Sequence, residues 1–148
     1  MSMTSLELYG VAKILGGEEI LHKEIHNYSD FIELGSQGVT KTALANLASY
    51  LRLSISQIAR LLPVSERTIQ RQDTGEPFNR AVSEQILHIA EVAARGTDVF
   101  EDRDRFLAWL NQPCIALADE APIDLLKSRF GVDMVLEELG RMEHGVFA

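Results

Sequence analysis

Apolar residues in this chain recur every three or four positions and almost nowhere alternate with polar ones. That spacing restricts the fold to packed helices, because a half-buried strand needs a period of two and a helix a period near 3.6. Leu44, Leu47, Ala48 and Leu51 stripe "TKTALANLASYLR". Val82, Ile86, Ile89, Ala90 and Ala93 stripe "NRAVSEQILHIAEVAARG", where Gly96 suits a C-cap. "LELYGVAKILGG" spaces Leu6, Val11, Ile14 and Leu15 at helical intervals and stops at Gly16-Gly17. "SDFIELGSQG" reads as a short helix capped by Ser29 and ending near Gly35. Phe106, Leu107, Trp109 and Leu110 make a further apolar face that Pro113 ends. Pro122 suits the first turn of a "PIDLLKSRFG" helix, and a last helix is expected from about Val132 to His144. The expected fold class is all-α.

With 148 residues, 46 % of them apolar, the chain can form one domain or two small ones sharing a core. No apolar run approaches the roughly 20 residues that span a bilayer, so no membrane partner is expected. "MSMTSLELYG" lacks a basic region followed by an apolar core, so no signal peptide is expected. Cys114 is the single cysteine, which excludes a disulfide within the chain and fits a reducing cytoplasm. Net charge is −8, yet its distribution is uneven. Residues 1–40 hold 2 basic and 6 acidic side chains, residues 41–80 hold 6 and 3, and residues 81–148 hold 6 and 13. A small cationic island matters locally because charge is screened over only ~8 Å at physiological salt.

Inside that island lies "ISQIARLLPVSERTIQRQDT", residues 55–74. Ser54 and Gln57 fit a capping box that opens a first helix. Ile58, Ala59 and Leu62 form its inner face, and the small Ala59 lets a second helix cross closely. Pro63-Val64 makes the turn, Ser65 caps the second helix, and Ile69 anchors it. This is the pattern of a helix-turn-helix. The second helix presents Glu66, Arg67, Gln70 and Arg71 on one face. Arginine and glutamine suit guanine and adenine edges in a major groove, and Thr68 and Gln72 suit phosphates. The candidate DNA-binding residues are therefore Ser65, Arg67, Thr68, Gln70, Arg71 and Gln72, and the expected partner is operator DNA. The plainer alternative is a solvated helical hairpin. Two departures stand out: Pro63 where glycine is usual in the turn, and a polar Gln72 where an apolar residue is common.

No catalytic constellation accompanies this motif. His22 and His26 lie four apart, but no second ligand cluster joins them, so no metal is expected. His88 sits between Ile86 and Ile89 and reads as a structural histidine. His144 lies where a helix C-terminus favours a cation. Cys114 has no adjacent base to lower its pKa. Gly16-Gly17 stands alone, with no phosphate loop around it. Neither enzyme activity nor a cofactor is expected.

The C-terminal block carries Trp109-Leu110 followed by Pro113, then Pro122-Ile123-Asp124-Leu125-Leu126, Gly131, Val135 and Leu139. It closes on Arg141-Met142-Glu143-His144-Gly145-Val146. With the helix-turn-helix and "ERTIQRQ" before it, this order resembles the Xre/MbcA/ParS antitoxin family across nearly the whole chain. One departure is "IALADEAP", where the family commonly has glycine shortly before the proline.

The resemblance implies two jobs. One is inhibition of a cognate toxin by a C-terminal toxin-binding domain; the other is repression of the shared promoter by the helix-turn-helix. Many toxins paired with this domain are RES-type enzymes that consume NAD, so a RES-domain partner is implied. Val135, Leu136, Leu139 and Met142 should pack on the "PIDLL" helix, with Gly140 needed for close approach. Beyond Gly145, Val146 and Phe147 have little chain to fold back on, and burying a phenylalanine is worth roughly 1.5–3 kcal/mol.

Arg141, Glu143, His144, Gly145, Val146, Phe147 and Ala148 are therefore the candidate toxin-binding residues. Glu143 and the terminal carboxylate are placed to mimic anions in a cationic pocket. The bland alternative is that Phe147 covers its own domain. The expected organisation is an N-terminal helical segment at 1–38, a helix-turn-helix domain at 39–96 and a toxin-binding domain at 97–148. A homodimer is expected, because one reading helix per chain generally needs a two-fold partner. The runner-up is a stand-alone repressor whose C-terminal domain serves dimerisation or another protein contact.

Overall fold

A computed structural model describes residues 3–145, which hold nine α-helices and two 3₁₀ turns, with no strand beyond two isolated bridges. In order these are α1 (Ser5–Leu15), α2 (Glu18–Leu21), α3 (Tyr28–Gln37), α4 (Lys41–Leu51), α5 (Ile55–Ala59), α6 (Glu66–Arg71), α7 (Arg80–Phe100), α8 (Arg103–Leu110) and α9 (Arg129–Glu143). The 3₁₀ turns, Ile115–Leu117 and Pro122–Leu125, fall between α8 and α9.

Short polar side chains set where the helices begin. Thr4, Asn27, Thr40, Ser54, Ser65, Asn79, Asp102 and Ser128 each accept a backbone N–H from the first turn that follows. α3 is capped by Asn27, not by Ser29, so it begins and ends about two residues away from its expected limits.

The axle of the fold is α7, 21 residues long. Ile86, Ile89, Ala90 and Ala93 are fully enclosed, and the helix packs against α1, α3, α4, α8 and α9. It runs unbroken through Gly96, which is not a C-cap. Instead, a Cβ at Gly96 would collide with the Phe106 ring, so the glycine lets α8 close on α7. Phe106, Phe100 and half-buried Trp109 stack there, with ring centroids 5.6 to 6.5 Å apart. Because α7 spans residues 80–100, the junction expected between 96 and 97 falls within a helix.

Side chains also tie α8 to α4. Arg103 donates from Nε to the Tyr50 carbonyl (2.9 Å) and from Nη2 to the Ser49 carbonyl (3.0 Å). Its guanidinium lies 4.7 Å from the centre of the Tyr50 ring. These bonds satisfy carbonyls at the α4 C-terminus, where a cation is favoured. Arg52 pairs with Asp104 beside them.

α9 packs mainly on α7 and secondarily on the 3₁₀ turn that replaces the expected "PIDLL" α-helix. Val135 and Leu139 are enclosed, while Leu136 and Met142 are half-buried. The indispensable glycine is Gly131, whose Cβ would overlap the Leu125 carbonyl. Gly140 is looser: a Cβ there would meet only the flexible Arg95 guanidinium, at 3.4 Å. In the loop before α9, Ala118 (φ 59°) and Asp119 (φ 64°) both take the left-handed conformation. Glycine takes that conformation without the Cβ penalty that Ala118 bears there.

Candidate functional site

The helix-turn-helix forms as its sequence requires. Ser54 Oγ accepts from Gln57 N (3.1 Å) while Gln57 Oε1 accepts from Ser54 N (2.8 Å), completing the capping box. Ile58 and Ile69 are fully enclosed, and Ala59 and Leu62 nearly so. Val64 is half-buried in the turn. Ser65 Oγ accepts from Thr68 N (3.1 Å) and donates to Thr68 Oγ1 (2.9 Å), so both hydroxyls are engaged in the cap.

Arg67, Thr68, Gln70 and Arg71 are exposed on α6. Neither Arg67 nor Arg71 has an ion-pair partner among the described residues, and neither does Arg60 at the end of α5. Gln70 reaches back to Glu66 at 3.5 Å, a weak contact that a base edge would displace.

Gln72 has a different task from the one expected. Its Nε2 donates to the carbonyls of Glu76 (3.0 Å) and Pro77 (3.1 Å), which uses both amide hydrogens and leaves none for a phosphate. It ties the loop after α6 to the body. Sequence reasoning missed Lys41, whose Nζ donates to the carbonyls of Gln70 (3.1 Å) and Gln72 (3.4 Å). A lysine thus closes the C-terminus of α6 from the start of α4. The signal was available only in three dimensions, since 29 residues separate Lys41 from Gln70.

Of the C-terminal candidates, Arg141 and Glu143 lie on the last turn of α9, and His144 and Gly145 follow it. Arg141 is exposed but its Nε and Nη2 bind Glu138 Oε1 at 2.8 and 2.7 Å, compensating a carboxylate that is 2 % exposed. Glu143 is exposed and accepts from Arg95 Nη2 at 3.2 Å. Arg95 also donates from Nη1 to Glu7 Oε1 (3.1 Å), so one guanidinium joins α1, α7 and α9. One turn before it, burial pushes the Glu91 carboxyl up to about 7, with the Glu7 charge adding to the effect. His144 and Gly145 are exposed, with Gly145 at φ 72°. Val146, Phe147 and Ala148 lie outside the described residues.

The same block exposes large apolar side chains that sequence reasoning did not single out. Phe130 is 85 % exposed and Met134 42 %; they lie one turn apart on α9. Ile115, in the first 3₁₀ turn, is 89 % exposed. A helix whose inner stripe is Val132, Val135 and Leu139 does not need outward Phe130 and Met134 for folding.

The histidines behave as structural or solvent groups. α2 ends at Leu21 and His22 is left-handed (φ 56°), so His22 and His26 do not share a helix. No cluster that could hold a metal occurs among the described residues. His88 Nε2 accepts from Arg129 Nη1 at 2.8 Å, and burial together with that guanidinium lowers its pKa. No helix among the described residues is long and apolar enough to cross a membrane.

Comparison with known proteins agrees with this layout. Residues 30–91 match the antitoxin Xre-like helix-turn-helix domain, and residues 95–145 match the antitoxin Xre/MbcA/ParS C-terminal toxin-binding domain. The chain carries both domains of the Xre/MbcA/ParS antitoxins. It is 30 % identical over 95 residues to the antitoxin Xre of Yersinia enterocolitica, a match covering 63 % of this chain and 64 % of that protein. It is 24 % identical to the antitoxin Xre of Photorhabdus laumondii over 75 % of this chain and 76 % of that one. The Prs ADP-ribosylating antitoxin of Sphingobium is 24 % identical across 90 % of this chain and 91 % of its own. The fold is similar to that of a chain in the crystal structure of the M. tuberculosis MbcT–MbcA toxin–antitoxin complex. That likeness has a TM-score of 0.55, 21 % identity, and 73 % and 96 % coverage. The family is one of antitoxins and helix-turn-helix regulators, not of enzymes.

Proposed function

We propose that this chain is the antitoxin of a toxin–antitoxin pair, binding a cognate toxin through its C-terminal block and its own operator through α6. The observation that carries this reading is the pairing of two exposed surfaces on one continuous helical core. Unpaired Arg67 and Arg71 stand on the matched helix-turn-helix, and exposed Phe130, Met134 and Ile115 stand on the matched toxin-binding domain. An apolar surface of this kind buries well against a protein and poorly against DNA, whereas unpaired arginines on a helix-turn-helix suit phosphates and base edges. The partner is a RES-type, NAD-consuming enzyme, and the contact includes Arg141, Glu143, His144, Gly145 and the residues that follow. The division at 1–38, 39–96 and 97–148 is one of tasks rather than of separate bodies. The protein acts in the cytoplasm, as a homodimer that spans two operator half-sites about one helical turn apart.

Co-expression with the product of the neighbouring gene tests the reading. The expected result is rescued growth and a complex that co-purifies. Growth arrest with no complex, at normal levels of both proteins, overturns it.

A further inference from the structure

α1 carries two apolar faces, and the fold uses only one. Leu8, Val11 and Leu15 are buried against the core. Leu6 and Tyr9, each 64 % exposed, lie three apart on another face with Gly10, Lys13 and Ile14. An amphipathic surface helix needs one stripe, so the second asks for a partner of its own.

That second stripe edges a groove of about 400 Å³ between α1, α4 and α7, lined also by Tyr50, Ala94, Thr97 and Asp98. At its base α1 and α7 approach closely: a Cβ on Gly10 would stand 3.2 Å from the Ala94 methyl. Its floor is fixed by a hydrogen bond of 2.6 Å between the Tyr50 and Thr97 hydroxyls. Apolar knobs and an apolar hollow therefore adjoin on one surface.

The charges on the rim select the occupant. Lys13 and Asp98 both line this groove, both are exposed, and neither has an ion-pair partner among the described residues. A surface bearing one unpaired cation, one unpaired anion, a knob and a hollow is complementary to itself. A two-fold axis presents each group to the same patch on the other copy, so every pairing forms twice.

We propose that the α1–α7 groove is the homodimer interface: Leu6 and Tyr9 of each copy enter the other's groove, and Lys13 of each meets Asp98 of the other. This inference rests on the homodimer stated above and locates its surface. It assigns dimerisation to the side of α7 that α1 covers, leaving Phe130 and Met134 for the toxin.

The test uses full-length protein and sedimentation velocity, with circular dichroism to confirm helicity. Lys13→Asp alone and Asp98→Lys alone place like charges opposite each other across the axis, and each is expected to weaken the dimer at least tenfold. Mixed together, the two variants place opposite charges across both contacts, and dimer is expected to return. Tyr9→Ser, which leaves the charges intact, is expected to weaken the dimer in both homodimer and mixture. A wild-type monomer at micromolar concentration overturns the dimer itself. A wild-type dimer indifferent to all three substitutions leaves the dimer standing and overturns this surface. Charge variants that dissociate alone and fail to pair when mixed overturn the Lys13–Asp98 contact.

Discussion

Replacing Glu91 with glutamine should change how stability depends on pH. Glu91 lies on α7, half-buried, with Glu7 and Arg95 close by. Burial lifts its carboxyl from an ordinary 4.5 to about 7. In the unfolded chain the group ionises near its ordinary value, so between these two pH values the folded protein holds a proton that the unfolded chain has released. Stability from this group is therefore full below about pH 4.5 and is lost as pH rises through about 7. The full displacement corresponds to roughly 3 kcal/mol, reduced to about 1–3 kcal/mol because the carboxyl still reaches water. A neutral amide has no ionisation to oppose. Urea unfolding of wild type and Glu91→Gln at pH 5, 6, 7 and 8 should show the variant gaining on the wild type by that amount across the series. Other titrating groups, including His88, contribute similarly to both proteins and cancel in the difference. Two stability profiles that run parallel from pH 5 to 8 refute the argument.

Arg67→Ala and Arg71→Ala should each cost about 1–3 kcal/mol of operator affinity in a mobility-shift titration, with toxin neutralisation unchanged. Gln72→Ala, by contrast, should lower thermal stability, since its amide holds the loop carbonyls of Glu76 and Pro77 rather than a phosphate. Gly131→Ala should cost roughly 3 kcal/mol or more by urea denaturation, because the Leu125 carbonyl occupies the space a methyl needs. Ala118→Gly should raise stability by about 0.5–1 kcal/mol, by relieving a left-handed alanine at φ 59°; an unchanged midpoint removes the strain argument.

Periodicity and capping made the helices legible before any coordinates. Ser54, Gln57 and Ser65 act as local chemistry requires, because a cap involves only residues three apart. Long-range features were not legible. Gly96 looked like a helix end because glycine often follows a C-terminus, yet the Phe106 ring ten residues later claims the missing side chain. Leu6 fits the helical spacing and still faces outward, since spacing alone does not say which of two apolar stripes on α1 the core accepts. Pro122 opens a 3₁₀ turn rather than an α-helix, and that turn sets the Leu125 carbonyl against Gly131, a contact no local pattern announces. The exposed arginines of α6 were readable from the motif. Phe130 and Met134 were not, because an apolar residue in sequence is assumed to be inside until a structure places it on the surface.

The unbroken course of α7 carries an evolutionary constraint. A lineage that changed its toxin could not simply exchange the segment after residue 96, because the incoming α8 and α9 would meet a foreign face of the same rod. It would have to rewrite one side of that rod while conserving the other, and retain Gly96 wherever a ring like Phe106 arrives. Hybrids joined at the obvious seam should therefore misfold, and functional ones should carry α7 over whole with the tail.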